Sequence, residues 1–314
     1  MKLLFGCGYL GSRVAALWQA AGERVTIVTR DPDKAEALRL RGYEALVADV
    51  CEPATLQSLP EAETVLFTVG YDRRTPQRSI GEVYAQGVRN VLDAVQGSGF
   101  RVQGSNDSTP LPNAEPRTSN PEPLFIYVSS TGVYGDADGD WVDETTSCRP
   151  LREGGKACLA AEEAIANHHL APRSVVLRLA GIYGPDRIPR GDALRRGEPI
   201  DAPADGYLNL IHVDDAAQVV LAVEQAAAAG KVATPQTYCV SDGHPGLRRE
   251  YYAELARLLE APPPRFVEPS PSSPAAARAA ADKRISNAKL LKDIRPTLRY
   301  PSFREGLAAI IRGG

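Results

Sequence analysis

The stretch LFGCGYLGSR, residues 4–13, places Gly6, Gly8 and Gly11 in a G-x-G-x-x-G pattern directly behind the apolar run KLLF (2–5). Only one short strand fits in front of it. Residues 9–21 behind it have helical composition, with Leu10, Val14 and Leu17 spaced to make one face. Three glycines at this spacing recur by chance, but between a strand and a helix they acquire a physical meaning. Gly6 permits a tight turn, Gly8 lets a pyrophosphate approach the backbone, and Gly11 lets helix and strand pack closely. The free N–H groups of the helix N-terminus then face the phosphates. Cys7, Tyr9 and Leu10 of the same turn belong to the expected dinucleotide site. The bland alternative is a β–α turn without a ligand.

The next hundred residues alternate strand-like and helix-like segments. RVTIVTR (24–30), YEALVADV (43–50), ETVLFTVG (63–70) and LFIYVSS (124–130) read as strands. DPDKAEALRLRG (31–42) begins on Asp-Pro and ends on Gly, as a capped helix does, and residues 79–99 form another helix. This alternation predicts an α/β fold: a doubly wound parallel sheet of the Rossmann type over residues 1–180, with a small C-terminal α+β lobe over 181–314 interleaved with it. Two segments break the pattern. Residues 100–123 carry five prolines and few apolar residues, which reads as a mobile surface insertion. Residues 261–283, also proline-rich, are expected to wrap over the small lobe.

The bulk composition excludes several classes. A formal net charge of -3, without a long Lys/Arg block, argues against a nucleic-acid surface. No apolar run approaches the ~20 residues of a membrane span. A strand starting at residue 2 leaves no room for a signal peptide, and the 5 cysteines lie scattered without a C-x-x-C pair, so a reduced, cytoplasmic protein without a metal site is expected. The 4 histidines show no ligand spacing either.

The end of the second strand bears on which dinucleotide is bound. NAD sites usually place an acidic residue there, on the ribose 2′-OH. This chain has Thr29 and Arg30, 18 and 19 residues past Gly11. A guanidinium pairs bidentately with a 2′-phosphate and a threonine hydroxyl can donate to it, which favours NADP(H). Asp31 next door keeps NAD(H) open.

Four further stretches make the chain resemble the extended and atypical short-chain dehydrogenase/reductases, the NAD-dependent epimerase/dehydratase group. They are VADV (47–50), YVSSTGVYG (127–135), LRLAGIYGP (177–185) and NLIHVDDAA (209–217), in family order, followed by SNAKLLKDI (286–294) and RYPSFREGL (299–307). The resemblance implies that Asp49 contacts adenine. Val50 beside it, with Val69 and Gly70 after the fourth strand, completes the expected cofactor set. It further implies hydride transfer at nicotinamide C4 on a small-molecule substrate, such as a nucleotide sugar or carbonyl compound, and a homodimer through helices four and five that the insertion at 100–123 would obstruct.

In that family a Tyr exchanges the proton with help from a Ser or Thr, and a Lys on the same helix lowers the Tyr pKa. Here the stretch DETTSCRPLREGGKACLAAEEA (143–164) contains no tyrosine. One alignment puts Gly154 and Cys158 at the Tyr and Lys positions. Anchoring on Lys156 instead puts Arg152 where Tyr should be. Tyr84 stands where the family's helix-four asparagine is expected. Ser130 survives, as a group to polarise a substrate carbonyl or only to satisfy local backbone. Lys156 could supply charge to the nicotinamide ribose or a substrate, and Tyr134 could replace the missing proton donor. Tyr183 is a further such donor in principle, His212 a titrating group or lobe anchor, and Cys158 a nucleophile or a core thiol. Two functions therefore remain: an NAD(P)-dependent oxidoreductase with a non-standard proton donor, or a non-catalytic NADP(H)-binding redox sensor.

Overall fold

The computed structural model describes residues 1–72, 78–97, 122–270 and 273–313. Seven strands form one sheet: β1 (Lys2–Phe5), β2 (Val25–Thr29), β3 (Glu44–Val47), β4 (Thr64–Phe67), β5 (Leu124–Ser130), β6 (Ser174–Leu179) and β7 (Gln236–Val240). Every pairing is parallel and the spatial order is β7-β6-β5-β4-β1-β2-β3. The expected doubly wound sheet is therefore present, and its order reverses between β1 and β4. That is where a crevice opens at the carboxyl ends of the strands.

The inner strands β1, β2, β4, β5 and β6 are buried on both faces, which is why they read as apolar runs, while the edge strand β3 leaves Glu44 and Val47 exposed. Leu4, Ile27, Leu66, Ile126 and Leu177 face α1 (Gly11–Ala20), α2 (Pro32–Leu40) and a later helix. Leu3, Phe5, Val65, Phe67 and Phe125 face α3 (Gly87–Gly97) and α4 (Glu153–Ala166). The helix expected over 79–99 is not uniform. A π-turn at Glu82–Gln86 precedes α3, and there Gly87 passes so close to Val50 that a Cβ would lie 2.9 Å from its Cγ2.

Residues beyond 180 contribute to two separate cores. Helix α5 (Val213–Ala228) packs on α1 and the sheet, and β7 becomes the edge strand beside β6. The small lobe has its own core of Tyr183, Leu210, Tyr251, Leu255, Phe303 and Leu307, gathered by α6 (Arg248–Leu259) and α7 (Phe303–Arg312). The segment 261–283 leaves this lobe through residues 266–267, which pair with 200–201. It ends against the β5 side, where the Asp282 carbonyl accepts from the Ala137 and Gly139 N–H groups. The insertion at 100–123 lies outside the described residues except for 122 and 123. Among the described residues no helix is long and apolar enough to cross a membrane.

At the amino ends of the strands, Glu224 of α5 ties four elements together. Its carboxylate accepts from Lys2 Nζ at 2.6 Å, from Trp18 Nε1 at 2.8 Å and from Thr64 Oγ1 at 2.8 Å. Removing one partner of a buried ion pair strands the other charge. Glu224→Ala is expected to lower unfolding free energy by about 3 kcal/mol. Glu224→Gln, which keeps one acceptor oxygen for either Trp18 or Thr64, should cost less. Urea unfolding of the two variants checks the order.

Candidate functional site

The crevice at the switch point is a cavity of about 590 Å³. Its base is the glycine turn. Gly6 has φ +91°, and a Cβ there would lie 2.6 Å from the backbone of Thr68 and Val69. A Cβ on Gly11 would collide with the Gly6 carbonyl oxygen, so only glycine lets α1 start this close to β1. Gly8 faces open space, with nothing within 4 Å of its Cβ position. Among the described residues, the N–H groups of Tyr9, Leu10 and Gly11 donate to no protein acceptor. Glycines that hold a helix N-terminus against a cavity, with unpaired N–H groups and room at Gly8, fit a pyrophosphate.

Most of the expected cofactor residues come together in this cavity: Gly6, Cys7, Gly8, Tyr9, Thr29, Arg30, Asp49, Val50, Val69 and Gly70 line it. Leu10 and Gly11 do not. The Leu10 side chain turns into the core at 6% exposure, and Gly11 packs against Gly6, so their contribution is backbone alone. Asp49 holds the turn after β3 through one oxygen, which accepts from the Cys51 N–H at 2.8 Å.

At the β2 end, Asp31 caps α2. Its Oδ1 accepts from the N–H groups of Asp33 and Lys34 at 3.0 and 3.2 Å. Arg30 lines the cavity with no hydrogen bond or ion pair among the described residues. Lys34 joins it, its Nζ donating to the Cys7 carbonyl at 2.7 Å. The sequence reading missed Lys34. It stands at the third position of α2, directly behind the Asp31 cap.

Arg187 was also missed, and no local pattern announces it. It enters from the loop after residues 181–183, lines the cavity, and stacks 5.4 Å from the Tyr9 ring. Arg13 covers the same ring at 4.4 Å, and Tyr9 itself donates to the Pro185 carbonyl at 2.8 Å. Tyr9 thus fastens the glycine turn to the small lobe.

The residues expected to do chemistry are placed differently. Ser130 ends β5, outside the cavity lining, and its Oγ accepts from the Gly132 N–H at 3.0 Å. That leaves the hydroxyl proton free to donate. Lys156 faces solvent, paired with Glu153 one turn earlier at 2.8 Å, and lines no part of the cavity.

Tyr134 is 2% exposed and belongs to a buried network. Its hydroxyl accepts from Arg178 at 2.8 Å and lies 3.2 Å from Cys239 Sγ. Arg178 is in turn paired with Glu162, which also accepts from Ser129. Burial holds the Tyr134 phenol far above its usual pKa, and Cys239 raises it further against the pull of Arg178. A phenol so placed holds its proton and is sealed from substrate, so Tyr134 is a structural residue. Cys158 sits beside this network, its thiol pushed up to about 11 by burial. His212 is 1% exposed and caps α5, its Nδ1 accepting from the Asp214 N–H at 3.2 Å. Burial lowers its pKa, so it stands as a neutral anchor between the rings of Tyr183 and Tyr300. Tyr183, fully buried, donates to the Ser302 carbonyl at 3.3 Å.

Comparison with known proteins agrees with this geometry. The sequence profile described as the NAD dependent epimerase/dehydratase family matches residues 3–240. Protein YeeZ of Escherichia coli (strain K12) is 30% identical over 269 residues, covering 84% of this chain and 85% of that protein. The 3-diazoavenalumate denitrifying reductase of a Streptomyces species is 26% identical, covering 96% of each. In fold, the chain is similar to the UDP-glucose 4-epimerase of Thermus thermophilus solved in complex with NAD, with a TM-score of 0.72 at 17% identity over the whole of both chains.

The Tyr134 assignment is open to measurement. Tyr134→Phe should lower unfolding free energy by about 1–2 kcal/mol, the cost of a lost buried hydrogen bond. Dinucleotide affinity in a fluorescence titration should stay unchanged.

Proposed function

Because the chain belongs to the NAD dependent epimerase/dehydratase family, we propose that it is an oxidoreductase that prefers NADP(H) to NAD(H) and acts on a small substrate held between the sheet and the small lobe. One observation carries the cofactor preference: Arg30 and Lys34 line the cavity at this strand end, whereas Asp31 between them caps α2 and is not part of the lining. With Asp31 turned to the Asp33 and Lys34 N–H groups, the charge this corner offers the cavity is basic. The Arg30 guanidinium and the Lys34 ammonium instead suit a 2′-phosphate, the first as a fork and the second as a point charge.

The remaining residues divide the rest of the molecule. The N–H groups of Tyr9, Leu10 and Gly11 would hold the pyrophosphate, with Arg187 closing over it from the small lobe. Asp49, with one oxygen engaged on its own turn, has the other available for the adenine amino group. A nicotinamide dinucleotide held by these residues would supply hydride-transfer chemistry. Ser130, whose oxygen is oriented by the Gly132 N–H, donates its hydroxyl proton as a hydrogen bond to a substrate oxygen.

NADPH should bind about 10–100-fold more tightly than NADH, matching one or two charge-assisted hydrogen bonds. Arg30→Ala and Lys34→Met should each narrow that ratio. Equal affinities in the parent protein would sink the NADP(H) assignment. Turnover is read by incubating the protein and NADPH deuterated at C4 with a metabolite extract, then searching for labelled metabolites by mass spectrometry. Label that disappears in Ser130→Ala supports the oxidoreductase. Tight NADPH binding with no label transferred, and no isomer interconverted, would leave a binder that reports redox state.

A further inference from the structure

Lys283 is a buried cation without a counter-ion. It is 7% exposed, and its ammonium makes one hydrogen bond, to the Gly135 carbonyl oxygen at 3.0 Å. Among the described residues it forms no ion pair. Two other buried cations of this protein are matched: Lys2 by Glu224 and Arg178 by Glu162, each at 2.6 Å. An ammonium removed from water with a single carbonyl partner is costly to keep.

The groups around Lys283 do not supply the missing charge. Asp136 and Asp282 act on it only at longer range. Asp136 Oδ1 already accepts from the N–H groups of Ala137, Asp138 and Asp282. Asp282 Oδ1 accepts from the Tyr207 N–H at 2.6 Å. Opposing these carboxylates are two further cations. Arg248, 7% exposed at the start of α6, has one side-chain hydrogen bond, a long one of 3.4 Å to the Pro203 carbonyl, and it feels Asp282 as well. Arg152 acts on Lys283 from the start of α4. Three basic groups from three parts of the chain thus gather around two carboxylates committed to backbone.

Arg152 links this group to Ser130. A Cβ on Gly132 would lie 3.2 Å from Ser130 Oγ and 3.8 Å from Arg152 Nη2. Glycine there lets both groups approach the loop closely, where a side chain would press on Ser130 Oγ. Gly155, on which a Cβ would collide with the Gly132 carbonyl, lets α4 bring Arg152 that close. Lys283 meets the same loop two residues past its buried end, at Gly135.

We propose that Lys283, with Arg152 beside it, forms a subsite for an anionic group of the substrate, a carboxylate or a phosphate, whose reacting end lies at Ser130. The subsite rests on the oxidoreductase reading for the role of Ser130, and on the buried charge alone for the anion. An arriving anion gives the ammonium the partner that the fold withholds, and does so at a fixed distance from the Ser130 turn. A neutral substrate of the same shape would leave the charge unmatched. The subsite therefore selects by charge as well as size.

The experiment titrates benzoate, inorganic phosphate and benzamide into the NADPH-loaded protein, with binding followed by ligand-observed NMR. At least one anion should bind roughly tenfold more tightly than benzamide, the scale of one charge-assisted hydrogen bond. Benzoate alone would mark a carboxylate subsite, and phosphate alone a phosphate subsite. Lys283→Met should remove the preference and Lys283→Arg should retain it, with NADPH affinity unchanged in both. Arg152→Gln, at an exposed position, should weaken anion binding about threefold, which tests the subsite without disturbing a buried residue. Burial and the neighbouring Arg152 push the Lys283 ammonium down to about 8 against the pull of Asp136 and Asp282. Benzoate binding should therefore fall as pH rises through that value in the parent and stay level in Lys283→Arg. Benzamide binding as tightly as the anions, or anion binding untouched in Lys283→Met, overturns the subsite. NADPH titrated alone reports on the oxidoreductase reading separately, and if it fails to bind, the anion series is read on the cofactor-free protein.

Discussion

The contact between Gly11 and the Gly6 carbonyl sets the rest of the structure. With no Cβ on either residue, α1 begins directly above the end of β1, and Thr68 Oγ1 closes the corner by donating to the Gly6 oxygen. The helix N-terminus is thereby fixed between β1 and β4, where strand order reverses. A side chain at Gly11 would displace α1, and with it Arg13, Trp18 and the elements they hold. Arg13 pairs with Asp214 and Trp18 with Glu224, both on α5. The glycine turn therefore shapes the phosphate end of the cavity and also positions the helix that carries the chain back from the small lobe.

The stretch 143–164, where the family resemblance leads one to expect a tyrosine, contains none, and the region is built in its own way. The first turn of α4 presents glycines to the Ser130 turn, and Gly155 packs where a larger residue would clash. The middle of α4 contributes Glu162 to a buried pair with Arg178, completed by Ser129 and Tyr134. That network holds β5, β6 and α4 in register. It consumes the one tyrosine of the V-Y-G segment, whose proton is held too tightly to give up. What remains at the end of β5 is a serine with its oxygen oriented by backbone, and basic groups that arrive from elsewhere.

The sheet was legible in the sequence because each strand is a short apolar run between turn residues, and because both faces of the sheet are covered. The glycine turn was legible for the same local reasons. The cofactor corner was half legible. The segment DPDK carries two readings, an acidic residue for a ribose and a cap for a helix, and the sequence does not choose between them. Only the geometry shows Oδ1 of Asp31 taken by two N–H groups. Lys34, at the third position of a helix whose Asp-Pro start is visible in the sequence, was within reach. Arg187 and Lys283 were not, because what makes them matter is what they meet: a tyrosine ring 178 residues earlier in one case and a glycine carbonyl 148 residues earlier in the other. Tyr134 and Lys156 were named for their place in a motif or a helix. Burial among charged partners decides the first, and solvent exposure the second.

The two cations are held by different parts of the molecule. Arg187 follows residues 181–183, and Tyr183 belongs to the small-lobe core with Tyr251, Phe303 and Leu307. The α7 that carries two of these residues is fixed by a full capping box at Ser302 and Glu305. Lys283 is tied instead to the sheet side: its ammonium donates to the Gly135 carbonyl, and Ile285, two residues on, packs with Val133, Tyr134 and Cys239. A shift of the small-lobe core against the sheet would therefore carry Arg187 across the glycine turn and leave the contact between Lys283 and Gly135 in place.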